Sequence, residues 1–126
     1  MRNLRFSPFH FAFVVLLLTA IGCGNNAGPP SPLSLDQFSL VFGKAFNKAK
    51  PEVRDLANEI VACVQSNSYA RAYSGLQSLS SVPSLTKEQS SVIGRGMLTV
   101  NGLLQSAASK GDENAAEAVK AYQISK

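Results

Sequence analysis

The apolar segment at residues 11–20 decides how much of this chain can fold into a domain. It follows a stretch that carries Arg2 and Arg5 but no acidic residue, which is the pattern of a secretory signal with its charged and apolar regions. A membrane-spanning helix needs about 20 apolar residues, and this run is limited by Pro8 before it and by the Gly- and Pro-rich residues 22–30 after it. We therefore expect an export signal, with the folded domain beginning after it.

Two cleavage positions compete at the end of this segment. For a cut between Gly22 and Cys23, the third and the first residue before the cut are Ala20 and Gly22, both small, as ordinary signal peptidase requires. That cut would release a soluble protein beginning with a free Cys23. The same stretch, Ala20-Ile21-Gly22-Cys23, also resembles the lipobox of bacterial lipoproteins, whose usual form is Leu, a small residue, Gly or Ala, then Cys. This resemblance implies that Cys23 is acylated as the first residue of the mature chain. Two or more acyl chains would hold the domain durably on a membrane.

Residues 24–32, with the sequence GNNAGPPSP, contain no apolar side chain larger than Ala or Pro. Such a segment cannot build a core and is typical of a tether. We expect a signal peptide at 1–22, a lipidated cysteine and flexible tether at 23–33, and one helical domain at 34–126. By the lipoprotein resemblance, Gly24 in place of an Asp implies an exported protein that is lipid-anchored to the outer membrane.

The charge of the mature chain is close to balanced. Without the two arginines of the signal, ten basic residues remain against eight acidic ones. The densest basic group is Lys44, Lys48 and Lys50, and Glu52 and Asp55 follow it directly. We interpret this group as a solvated helix end and expect no nucleic-acid partner.

Apolar residues recur three and four positions apart from residue 34 onward, which predicts an all-α fold of about five helices in antiparallel hairpins. The predicted helix starts are Ser34 with Gln37, Pro51, Ser68, Thr86 with Gln89, and Asp112. The predicted inward residues, helix by helix, are Leu35, Phe38, Val41, Phe42, Ala45, Phe46 and Ala49; Val53, Leu56, Ala57, Ile60 and Val64; Tyr69, Ala72, Tyr73, Leu76 and Leu79; Ile93, Met97, Val100, Leu104 and Ala107; and Ala115, Ala116, Val119 and Tyr122. In the fourth helix, Gly96 falls beside the inward face and Gly102 opposite it, so Gly96 is the expected site of close helix packing.

The helices also repeat weakly. Shifted by 44 residues, the second and third helices align with the fourth and fifth, and the Asn67-Ser68 turn aligns with Gly111-Asp112. The stretch Tyr69-Ala70-Arg71-Ala72 resembles the second-helix entry of a tetratricopeptide-type hairpin, and the resemblance covers residues 51–80. It implies a small bundle or a tetratricopeptide-like pair of hairpins.

The reactive residue types in the sequence do not favour a catalytic function. His10 is the only histidine and lies in the signal segment, so the mature domain has no histidine for a catalytic triad or a metal site. Cys63 falls on an apolar face and is expected to be a small buried hydrophobe. Carboxylates at positions 52, 55 and 59 share one helix flank and are expected to lie on a wet surface. We expect no enzyme, no cofactor and no metal.

Three side chains are candidates for an interaction surface. Tyr69 and Tyr73 have inward spacing that favours core packing, although such rings also stack on sugars or peptides. Leu40 lies off its helix's apolar face and would border a groove. The sequence favours a membrane-anchored, non-catalytic domain whose partner is another envelope protein or peptide. The alternative is a secreted soluble bundle that binds a small apolar ligand and contains a Cys23–Cys63 disulfide.

Overall fold

The computed structural model describes residues 28–125, and within them all regular structure is helical, as predicted. The five helices are α1 (Leu35–Phe46), α2 (Pro51–Gln65), α3 (Tyr69–Ser80), α4 (Lys87–Ser109) and α5 (Glu113–Ile124). Each helix packs on the next one in the chain. In addition, α1 packs on α4 and α3 packs on α5. None of the described helices has both the length and the apolar character needed to cross a bilayer.

Short polar side chains define most of the helix starts. At α4, Thr86 accepts a hydrogen bond from the Gln89 N–H while the Gln89 side chain accepts one from the Thr86 N–H, which completes the predicted capping box. Ser34 and Asp112 each accept one N–H from the first turn of α1 and α5. Ser68 precedes α3 as predicted, but its side chain does not cap the helix and lies 3.2 Å from another serine hydroxyl.

Three phenylalanines of α1 form the centre of the core. Phe38, Phe42 and Phe46 are fully buried, and neighbouring rings are stacked with centroids 4.4 and 5.9 Å apart. The ring of Phe42 lies against α4 at Gly96, where an added Cβ would come within 2.8 Å of it. Gly96 is therefore the close-packing position that the sequence predicted, and it leaves room for the middle one of the three rings.

Leu35 does not occupy the predicted core position and is 53% exposed. The buried leucine is instead Leu33, which stands just before the cap and is only 3% exposed. Leu33 and Phe38 belong to the same core cluster, and they occupy the two positions that a hydrophobic staple joins across a helix start. Because Leu33 fills this space, the first residue of α1 turns toward solvent.

Two of the three glycines of α4, Gly96 and Gly102, predict opposite effects when each is replaced with alanine. Alanine gains about 1 kcal/mol over glycine in a helix interior, and an added Cβ at Gly102 meets no atom within 4 Å. We therefore expect Gly102→Ala to stabilise the fold slightly. At Gly96 the ring of Phe42 is in the way, and overpacking of this kind costs about 1–3 kcal/mol. Urea unfolding of both variants tests the contrast, and equal stability would contradict the close packing.

The 44-residue repeat is visible in the backbone. Helices α3 and α5 have equal length and their bounds differ by 44 residues. Each follows a residue in the left-handed region, Asn67 with φ 59° and Gly111 with φ 97°. In both turns the next N–H reaches back to the last turn of the preceding helix, as in a Schellman motif: Ser68 to the Cys63 carbonyl at 2.8 Å and Asp112 to the Ala107 carbonyl at 3.1 Å. The described domain thus contains two helical hairpins of one type, with α1 packed across them.

Candidate functional site

The last part of the predicted tether is bound to the helical domain. We call residues 28–33 the strap. The Leu33 N–H donates to the Thr99 hydroxyl at 2.8 Å, and that hydroxyl lies 2.8 Å from the Leu33 carbonyl, to which it donates. Thr99 is a buried polar residue of α4, and its hydroxyl is also 3.1 Å from the Arg95 carbonyl within the same helix. A single side chain therefore satisfies both backbone groups of the strap's buried residue.

A second contact fixes the direction of the strap along α4. The Arg95 guanidinium donates through Nε to the Ser31 carbonyl at 2.9 Å. Arg95 and Thr99 are one helical turn apart, about 6 Å, which matches the length of about 7 Å spanned by two extended residues. Side chains of a helix lean toward its N-terminus, so Ser31 lies nearer the start of α4 than Leu33 does. The strap approaches Thr99 from the N-terminal side of α4.

One cavity of the described residues is a groove between the first turns of α3 and the body of α5. This α3–α5 groove has a volume of about 570 Å³, and its lining combines four alanines with polar side chains, among them Asn67, Tyr69, Arg71, Asp112, Asn114 and Glu117. A second cavity of about 350 Å³ adjoins it and extends along the end of α4. Tyr69 lines both cavities. Both repeat turns meet here, which places amide, carboxylate and aromatic groups side by side.

The predicted tyrosines have different surroundings. Tyr69 is half-buried, and its hydroxyl donates to the Asn67 side chain at 2.8 Å, which orients the ring in the groove. Tyr73 lies one turn further along α3 and packs edge-to-face on Tyr122 of α5, with centroids 5.6 Å apart. Burial raises the pKa of the Tyr73 hydroxyl, and the neighbouring Tyr122 hydroxyl raises it further. Tyr73 is therefore a neutral packing residue at ordinary pH, and Tyr69 is the tyrosine available in the groove.

Leu40 lies apart from both tyrosines. It is 73% exposed on α1, a helix that packs against α2 and α4, whereas the tyrosines belong to α3. Single exposed leucines are common on protein surfaces. The structure thus brings Tyr69 together with Asn67 and Asp112, two groove residues that the sequence did not single out, and leaves Leu40 on another face. The shared position of Asn67 and Asp112 beside the repeat turns was the available signal.

The remaining reactive groups are dispersed. Glu52 and Asp55 are exposed, and Glu59 forms an ion pair with Arg71 at 3.3 Å in which both side chains are exposed, so it adds little stability. Within residues 28–125, no three His, Cys, Asp or Glu side chains are placed to hold a metal ion. Cys63 is buried with a free thiol, in agreement with its predicted packing role. Cys23, the predicted lipidation site, lies outside the described residues.

The chain was compared with protein-family models, with curated proteins and with solved structures. No significant match was found in any of the three comparisons.

Proposed function

We propose that this protein is an exported bacterial lipoprotein, anchored by acyl chains on Cys23 to the outer membrane, whose non-catalytic helical domain binds another envelope protein or peptide. The observation that carries the proposal is the sequence Ala20-Ile21-Gly22-Cys23 at the end of an export-type apolar segment. At about 0.8 kcal/mol per buried methylene, two or more acyl chains give durable anchoring.

The strap supports an anchor close to the domain. Ser31 stands only eight positions after Cys23 and is hydrogen-bonded to α4. Eight extended steps from one Cα to the next span at most about 28 Å. A lipid on Cys23 would therefore hold the domain near the membrane surface, and α4 would be the helix that receives the anchor.

The α3–α5 groove is the best-supported binding surface of the domain. Its lining combines one oriented aromatic ring with the amides of Asn67 and Asn114 and with the carboxylates of Asp112 and Glu117. Amide and carboxylate groups match the backbone and basic groups of an extended peptide, while Tyr69 offers a face for stacking. A peptide segment of an envelope protein, with polar and basic groups for these side chains, is the partner that we propose for the groove.

The alternative of a secreted bundle with a small apolar ligand has less support. Cys63 is only 6% exposed, and it lines a small surface pocket between α2 and α3. The strap, which leads back to Cys23, is bound to α4 instead. These positions favour the anchored protein over the disulfide-bonded one.

Replacement of Cys23 tests the anchor directly. We expect full-length Cys23→Ser, expressed in bacteria, to move from the membrane fraction to the soluble fraction, and the parent protein to show a mass of residues 23–126 plus acyl chains. The matched control is Cys63→Ala, which removes the other cysteine and should leave both the lipid and the membrane fraction unchanged. An unmodified parent protein in the soluble fraction would sink the lipoprotein proposal.

A further inference from the structure

Basic side chains collect at one end of the helical bundle. We call this the basic end; it comprises the α1–α2 connection, the α3–α4 connection and the first turns of α2 and α4. The Gln89 amide joins its two halves by donating to the Ala45 carbonyl at 3.2 Å. With the last turn of α1 included, five basic side chains are exposed here, against the three carboxylates of Glu52, Asp55 and Glu88: Lys44, Lys48, Lys50, Arg54 and Lys87.

At the opposite end of the bundle, acidic side chains outnumber basic ones. The two repeat turns and the helix segments next to them expose Arg71 and Lys110 together with four carboxylates, which are Glu59, Asp112, Glu113 and Glu117. One of the basic groups, Arg71, is already paired with Glu59. The bundle is therefore polarised along its length, positive where α2 and α4 begin and negative at the α3–α5 groove.

The basic end also has a cleft between its two connections. The cleft has a volume of about 430 Å³ and combines Lys48 and Lys50 with the apolar side chains of Val53, Val82 and Leu85. Lysine side chains can lay their methylenes on apolar surface while their ammonium groups reach outward. This surface suits an anionic head group that sits directly above an apolar layer.

The strap leads from α4 toward the same end. Leu33 is held at Thr99 and Ser31 one turn nearer the start of α4, so from Leu33 back to Ser31 the strap runs toward the basic end. From Arg95 to Lys87 the helix measures about 12 Å, and from Arg95 to Ser109 about 21 Å. The eight steps from Ser31 back to Cys23 can span roughly 28 Å. Cys23 could therefore reach about 16 Å past the basic end, but only about 7 Å past the opposite end.

From this geometry we infer that the basic end is a membrane-facing surface that contacts anionic phospholipid head groups. The inference rests on the proposed lipid anchor and adds the orientation of the domain on that membrane. Lysines that reach an anionic bilayer add electrostatic attraction to the anchor, and this attraction is screened by salt. With the basic end at the bilayer, the α3–α5 groove faces away from it, at a height set by the length of α4, about 35 Å.

Fluorescence quenching at two matched positions tests this orientation. Lipidated protein is purified from bacterial membranes, its lipid is verified by mass, and it is reconstituted into vesicles of phosphatidylethanolamine and phosphatidylglycerol with a head-group quencher. One fluorophore is placed at Ser81→Cys beside the basic end and another at Ser109→Cys at the opposite end, both in a Cys63→Ala background. Both serines are exposed and bond only to a carbonyl of their own helix. We expect several-fold stronger quenching at position 81.

Charge variants separate the electrostatic contact from the tether. A variant with four lysines replaced by Gln should show a smaller difference in quenching between the two positions; the lysines are Lys44, Lys48, Lys50 and Lys87. High salt, or vesicles of phosphatidylcholine alone, should have the same effect. The control, Lys110→Gln with Lys120→Gln, should leave the difference unchanged. Two outcomes would overturn the inference while leaving the anchor intact. One is equal quenching at the two positions, and the other is a quenching difference that is unchanged when the four lysines are replaced. A protein that carries no lipid in the mass measurement would instead refute the proposed function.

Discussion

Replacing Phe42 with Ala should lower the free energy of unfolding by about 3–5 kcal/mol. The ring has no exposed surface and is stacked between Phe38 and Phe46. It also fills the space that Gly96 leaves on α4, so truncation opens a cavity at the contact between α1 and α4. The surrounding side chains cannot close that cavity without moving one helix against the other.

Urea unfolding monitored by circular dichroism measures this loss. The control is Leu40→Ala in the same helix, where the side chain is largely exposed and the expected change is within about 0.5 kcal/mol. If Phe42→Ala were as stable as Leu40→Ala, α1 would not be part of the cooperative core.

Thr99→Val should cost about 2–6 kcal/mol, because it leaves two buried backbone groups of Leu33 without a partner. Each unsatisfied buried group costs about 1–3 kcal/mol, and the Thr99 hydroxyl serves both the N–H and the carbonyl of Leu33. Valine has nearly the shape of threonine, so packing changes little. We also expect the Leu33 amide to lose its protection from hydrogen exchange, since the strap would detach locally before the helices unfold.

The conservative variant separates the hydrogen bonds from the packing. Thr99→Ser keeps the hydroxyl and removes only a methyl group, so it should retain the protected Leu33 amide and lose about 1 kcal/mol. Hydrogen exchange measured by NMR on both variants decides the matter. Equal protection of Leu33 in Thr99→Val and Thr99→Ser would mean that the strap is held by burial of the leucine alone.

The sequence predicted the features of this fold that depend on neighbouring residues. The capping box of Thr86 and Gln89 and the helix start at Asp112 follow from side chains that bond within three residues. Gly96 was placed correctly because helical periodicity alone puts it on the inward face. Local patterns of this kind are sufficient to predict five helices and their approximate bounds.

The strap and the groove were not predictable in this way. Leu33 bonds to a residue 66 positions away, and no periodicity connects an extended segment to one face of a distant helix. Leu35 was assigned inward because the spacing fits, but Leu33 occupies the core beside it. The α3–α5 groove depends on how the two hairpins lie against each other. The 44-residue repeat predicts that there are two similar hairpins, but not their relative position.

The course of the strap along α4 also determines how the domain responds to tension. Under the proposed anchor, a pull on Cys23 reaches the fold first at the Ser31–Arg95 and Leu33–Thr99 contacts. Because the strap enters from the start of α4 and runs along that helix, a pull toward the basic end loads both contacts together, in shear. Peeling would break them one at a time. The force is thus transferred to the longest helix of the domain before it reaches α1, so the fold can resist being drawn toward its anchor without unwinding its first helix.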